Sequence, residues 1–131
     1  MLLATVITKL ELELPLLKFS IDRKKHIIII PPVNEGFGDV VIDCTNGEII
    51  LFIGNFTHCH FCCDENDLAE KEKAKIIAEE VVELLNDIFD EKVVMYKSHN
   101  GGGFEYRDGQ RSQQSQLDLR QKWLWSGPIF E

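Results

Sequence analysis

Between Asp67 and Asp90 the chain contains no Gly and no Pro, and its apolar residues return with a helical period. At about 100° per residue, with Glu79 at zero, Ala74, Ile77, Ala78, Val81, Val82, Leu84, Leu85, Ile88 and Phe89 spread from about 140° to about 300°. Glu72, Glu79, Glu80, Glu83, Asp87 and Asp90 fall between about 0° and 100° on the same wheel. One long amphipathic helix with an acidic outer face is therefore expected. Asn66 or Asp67 can cap it, and Glu70 stands where a capping-box partner of Asp67 belongs. Ile76 lies inside the acidic sector, near 60°, as an apolar residue among carboxylates.

The segments on both sides of this helix read as strands. Leu10, Leu12 and Leu14 alternate with Glu11 and Glu13, which predicts a strand ending at Pro15, although Leu, Ala and Glu leave a helix over Leu3–Leu14 open. Ser20–Lys25 reads as a polar turn. His26–Ile30 is β-branched and stops at Pro31-Pro32, as a strand buried on both faces would. Asp39–Cys44 and Glu48–Phe56 flank Thr45-Asn46-Gly47, and the Asn-Gly pair is the clearest hairpin signal in the chain. After the helix, Lys92–Lys97 is a strand and Asn100–Gly103 a glycine-rich turn, with Phe104–Arg107 pairing back. Gln110–Gln116 is a polar loop, and an extended tail would place Trp123 and Trp125 on one face. With 131 residues, no internal repeat and no linker, the expectation is a single α+β domain over residues 1–131. Its sheet is mostly antiparallel, and the helix packs across one face.

Charge narrows the partners. The net charge is −8, and residues 64–91 hold eleven of the 22 acids against three of the 14 bases, so the remainder of the chain is balanced. A negative field confined to one segment repels phosphate backbones and anionic lipid, which argues against direct binding of nucleic acid or membrane. It attracts a cationic protein surface. No apolar run approaches the roughly 20 residues of a membrane-spanning helix, and the N-terminus lacks a basic lead, so the expected compartment is the cytoplasm.

Chemistry-bearing side chains concentrate in Thr57-His58-Cys59-His60-Phe61-Cys62-Cys63-Asp64. On a strand, His58, His60 and Cys62 share a face, and imidazole and thiolate are zinc ligands. A structural zinc site also needs a second cluster, and only His26, Cys44 and His99 stand elsewhere. No oxyanion hole or orienting third residue accompanies the thiols, so neither a metal, a cofactor nor an enzymatic activity is expected. A small metal-binding or hydrolytic domain using His58, His60 and Cys62 is the alternative.

Gly54-Asn55-Phe56-Thr57-His58-Cys59-His60-Phe61, the acidic helix and the closing Trp123-Leu124-Trp125-Ser126-Gly127-Pro128 resemble a group of small bacterial proteins. That group carries a Gly-x-Phe-Thr-His-x-His-Phe strand end and a terminal Trp-Ser-Gly-Pro. The resemblance spans roughly Phe37 to Pro128; Cys59, where a small residue is common, and Cys62-Cys63 depart from it. Size, acidity and layout are also similar in style to immunity proteins of polymorphic toxin systems. That likeness implies an antitoxin-like protein that occludes a toxin domain with a basic surface. The residues expected to meet such a partner are Glu79, Glu80, Glu83, Asp87 and Asp90, with Ile76, Trp123 or Trp125 as apolar anchors. A homodimer through a sheet edge or the Trp-bearing tail is a further possibility.

Overall fold

A computed structural model describes residues 1–98, 101–107 and 119–129 of the chain. It is an α+β fold of two antiparallel sheets and two helices. The first sheet is a meander, β1 (Ser20–Asp22), β2 (Ile27–Ile30), β3 (Val40–Asp43), β4 (Ile49–Ile53) and β5 (Thr57–Phe61), each paired with its successor. The second has the order β7-β6-β8-β9, built from β6 (Val93–Ser98), β7 (Gly101–Tyr106), β8 (Leu119–Leu124) and β9 (Gly127–Pro128). Helix α1 spans Leu2–Glu13 and helix α2 spans Glu70–Phe89.

α2 buries the stripe the periodicity predicts. Ala74, Ile77, Ala78, Val81, Val82, Leu84, Leu85 and Ile88 are all buried, while Phe89 is partly so. Its start differs from expectation. Ala69, not Asn66 or Asp67, is the N-cap, and no side chain caps the helix. The Ala69 carbonyl accepts from both Glu72 and Lys73 at 3.0 Å, and the acids Glu70 and Glu72 face the positive end of the helix dipole.

The N-terminal segment is helical rather than extended. Val6 and Leu10 are fully buried against the same core as α2, whereas Leu12 is exposed. Helical spacing turns Leu10 inward and Leu12 outward, so the Leu-Glu alternation that imitated a strand has no sheet face to fill. The helix also explains why Pro15 ends the segment, since α1 closes just before it.

The hairpin at Thr45-Asn46-Gly47 forms as read. Asn46 at φ 61 and Gly47 at φ 75 make the left-handed turn between β3 and β4, and the Asp43 carboxylate accepts from the Thr45 backbone at 3.1 Å. Two strand readings are corrected. Ser20–Asp22 is strand β1 rather than turn, and the β-branched run is not buried on both faces. Ile28 and Ile30 are buried while Ile27 and Ile29 look out of the sheet half-covered, because the helices pack on one side only. Gly101–Gly103 also lie in β7, not in a turn. A Cβ on Gly102 would stand 2.0 Å from the Phe56 carbonyl oxygen, so the bare backbone is what lets β7 cross β5.

The two sheets share an aromatic cluster. Phe37 is fully buried, with its ring 5.0 Å from Phe56 and 5.0 Å from Trp125, both edge-on. Trp125 lies 4.7 Å from Phe89, and Trp123 lies 5.8 Å from Phe56. Such edge-to-face contacts add to the burial of large rings. Gln110–Gln116, read as a loop, lies outside the described residues.

Candidate functional site

The acidic row of α2 stands outward. Glu79, Glu80, Glu83 and Asp90 are exposed, and among the described residues none of the four makes an ion pair. Glu79 and Glu83 are four apart and share one stripe with Asp87, so each neighbour in that ladder repels the next. The last turn of α2 holds no basic residue, and Asp87 and Asp90 lie at the negative end of the helix dipole. Lys75, four residues before Glu79, and Lys9 of α1, which lines a cleft with Glu79 and Glu83, are bases beside the row. Ile76 is 37% exposed beside it.

Three expected site residues are spoken for by the fold. Asp87 accepts a 2.8 Å hydrogen bond from the Tyr106 hydroxyl on β7 and sits 4.0 Å from the Lys92 ammonium. Burial and the Asp87 carboxylate push the Tyr106 phenol up to about 12. Trp125 is buried in the aromatic cluster, and Trp123 is half-buried against Gly36, where an added Cβ would meet the indole at 2.5 Å. Trp125 packs at the junction between the sheets, and Trp123 lies half-buried beside it. A residue the sequence did not single out joins the row instead. Glu13 of α1 and Lys9 line a cleft of about 380 Å³ with Glu79, Val82, Glu83 and Asn86. Reading Leu10–Leu14 as a strand hid Glu13; with α1 helical, Glu13 borders the row, paired with Lys9 at 3.6 Å.

The His and Cys residues of β5 separate by face. His58 and His60 are exposed on the side of the sheet turned away from the helices, with ring centres 5.5 Å apart. His60 Nδ1 is 3.8 Å from Glu48, and His58 lies 5.8 Å from the Phe52 ring. Cys59 points to the core side, where burial raises its thiol. Cys62 lies beyond the end of β5, where Asp64 first, then desolvation, and Glu48 and Glu80 more weakly, push its thiol up. Among the described residues no three His, Cys, Asp or Glu side chains converge as a metal site, so β5 does not bring His58, His60 and Cys62 together as one.

A second place gathers chemistry that spacing alone did not show. His26, Cys44, Glu70, Lys73 and Met1 line an open cavity of about 540 Å³ at the β2–β3 end of the sheet. Burial and the neighbouring Asp43 push the Cys44 thiol up to about 12, which leaves it a buried apolar group rather than a nucleophile.

The two motifs of the sequence find different uses. Gly54 sits at φ +53 with a virtual Cβ 2.1 Å from the Phe37 carbonyl oxygen, and Phe56 and Trp125 both pack on Phe37. Those positions build the fold. His58 and His60 do not pack inward and are left for the surface. Compared with family models, characterised proteins and solved structures, the chain matches none. No described helix is long and apolar enough to cross a membrane.

Proposed function

We propose that this chain is a protein-binding, antitoxin-like immunity protein that occludes a basic toxin domain with the acidic surface of α2. One observation carries the reading. Glu79, Glu80, Glu83 and Asp90 are exposed and, among the described residues, without ion pairs. Carboxylates gathered on one helix face and left to solvent make a field that a cationic partner surface answers. Lys and Arg of the partner would neutralise the Glu79–Glu83 ladder, with Glu13 extending the contact and Ile76 supplying an apolar point within it. Rim pairs of this kind act mainly on the association rate and its salt dependence.

The test is charge reversal at positions the fold does not use. The double variant Glu79→Lys, Glu83→Lys and the wild-type chain serve as baits for lysate of the producing cells. A partner with a basic domain, retained by wild type, released as salt rises and lost by the double variant, is the expected result. Capture indifferent to both salt and reversal would remove α2 as the interface. The metal-binding or hydrolytic reading gains no support from the separation of His58, His60 and Cys62.

A further inference from the structure

The cavity of about 540 Å³ at the β2–β3 end of the sheet stands apart from the acidic row, at the end of α2 opposite Glu83, Asp87 and Asp90. Its lining has two kinds of residue. Leu2, Leu3, Cys44 and Ala74 are buried and form an apolar wall. Lys73, His26 and Asn46 are polar, the Thr45 hydroxyl is already bonded to Asp43, and Glu70 is the one carboxylate among the lining residues. A space of this size, apolar with a few polar groups, has the composition of a small-molecule site.

Lys73 shows what that molecule needs to carry. Its side chain is only 22% exposed, and its one ion pair among the described residues, with Glu70 at 3.9 Å, is longer than a hydrogen bond. The Glu70 side chain is itself 81% exposed, so water holds most of its charge. An ammonium drawn this far from solvent is stabilised by a close, hydrogen-bonded anion, and none stands there among the described residues. His26 lines the same space and, among the described residues, makes no side-chain hydrogen bond or ion pair. Its backbone is held at φ 58, and its carbonyl accepts from the Cys44 amide at 2.9 Å, which fixes its place at the rim. Both helices begin here without a side-chain cap, and their positive ends reinforce the field that Lys73 sets.

We propose that this cavity binds a small amphiphilic anion, a medium-chain carboxylate being its simplest form. The hydrocarbon lies against Leu2, Leu3, Cys44 and Ala74, and the carboxylate accepts from the Lys73 ammonium and a His26 N–H. Glu70 gives up a contact already too long to be a hydrogen bond and stays in water. The wall favours the ligand in proportion to the apolar area it covers. The charged group decides the class of ligand: an amine would meet Lys73 and two helix N-termini, and an alcohol would leave Lys73 without an anion. The cavity is open at one side, so part of the chain stays in water and the affinity is modest, with a Kd of about 10–100 µM. This site needs neither the acidic row of α2 nor a protein partner, and its fate is separate from theirs.

Calorimetric titration of the full chain with hexanoate, octanoate and decanoate, each below its micelle concentration, tests it. The expected result is one equivalent bound, with affinity rising about two- to fourfold for each added methylene. Octanol, the same body without the charge, binds about tenfold more weakly than octanoate. Lys73→Met keeps the stem and removes the charge; it weakens octanoate about tenfold and leaves octanol unchanged. Lys75→Met, which takes a charge from the same helix outside the cavity, binds octanoate as wild type does. Ala74→Leu fills the space at the wall and abolishes binding. Should that variant lose its circular dichroism signal, methyl NMR of the wild-type chain makes the same test, with octanoate shifting Leu2, Leu3 and Ala74. No binding by any of the three carboxylates at millimolar concentration overturns the proposal. So does octanoate binding indifferent to Lys73→Met, or methyl shifts confined to other parts of the molecule.

Discussion

Gly54 shows how much of a short motif a backbone can demand. Its φ of +53 is left-handed, and the nearest atom to an added Cβ would be the Phe37 carbonyl oxygen at 2.1 Å, which also accepts from the Asn55 amide at 3.0 Å. Gly54→Ala pushes against backbone, not a flexible side chain. It is expected to cost about 2 kcal/mol or more in urea unfolding. Gly47→Ala, also left-handed but with open space around it, costs about 1 kcal/mol, which separates crowding from strain. The thiols divide in the same local terms. Iodoacetamide at mild alkaline pH labels the exposed Cys62 and leaves the buried Cys44 intact until the chain unfolds, as read by peptide mass. For Tyr106 the sign of the pH effect follows from the direction of its shift. A phenol raised from 10.0 to about 12 favours the folded state while protonated. Its contribution is full below pH 10 and is lost as pH climbs toward 12. Tyr106→Phe removes that alkaline loss, and solvent screening at this half-open site keeps its amplitude small. A stability profile that falls equally in both proteins between those limits would detach the shift from Asp87.

At the level of elements, α2 was legible because twenty residues of one period leave no other way to bury eight apolar side chains. The β3–β4 hairpin was legible because Asn46 and Gly47 are the residue types that accept its two positive φ values. α1 was ambiguous for a physical reason. Over Leu10–Leu14 a period of two and a period of 3.6 both place apolar residues inward, and only the packing partner decides between them. That ambiguity gives a sharp expectation. A strand would bury Leu10 and Leu12 alike, whereas α1 separates them at 0% and 71% exposure. Leu10→Ala is expected to cost about 2–4 kcal/mol in chemical denaturation and Leu12→Ala less than about 0.5 kcal/mol. The glycines of β7 misled for the opposite reason. Glycine signals a turn when read locally, and here Gly102 answers to the Phe56 backbone, distant in sequence, and Gly103 to the Tyr96 side chain. The acidic face of the candidate site was readable from periodicity. Which members the fold already holds was not, because Tyr106, Lys92 and the aromatic cluster reach Asp87 and the Trp side chains from elsewhere in the chain.

For the molecule as a whole, the distribution of charge and the distribution of packing pull apart, and that separation makes the functional surface testable without unfolding the protein. One hydrophobic cluster takes residues from both helices and both sheets, and it contains no charged side chain. The carboxylates of α2 contribute nothing to that cluster. Within the helix, Glu83 faces Glu79 and Asp87, its neighbours four residues to either side, while the nearest bases, Lys9 and Lys92, come from outside α2. Glu83→Lys exchanges two repulsions for two attractions. Each such pair is worth about 0.2–0.5 kcal/mol in either direction, so exchanging two of them is expected to gain about 0.8–2 kcal/mol, read as a higher urea midpoint with unchanged slope. On the proposed function, the same substitution that raises the midpoint weakens capture of a basic partner. A variant that is neither more stable nor a poorer binder would show that the row is plain solvated surface and carries no interface.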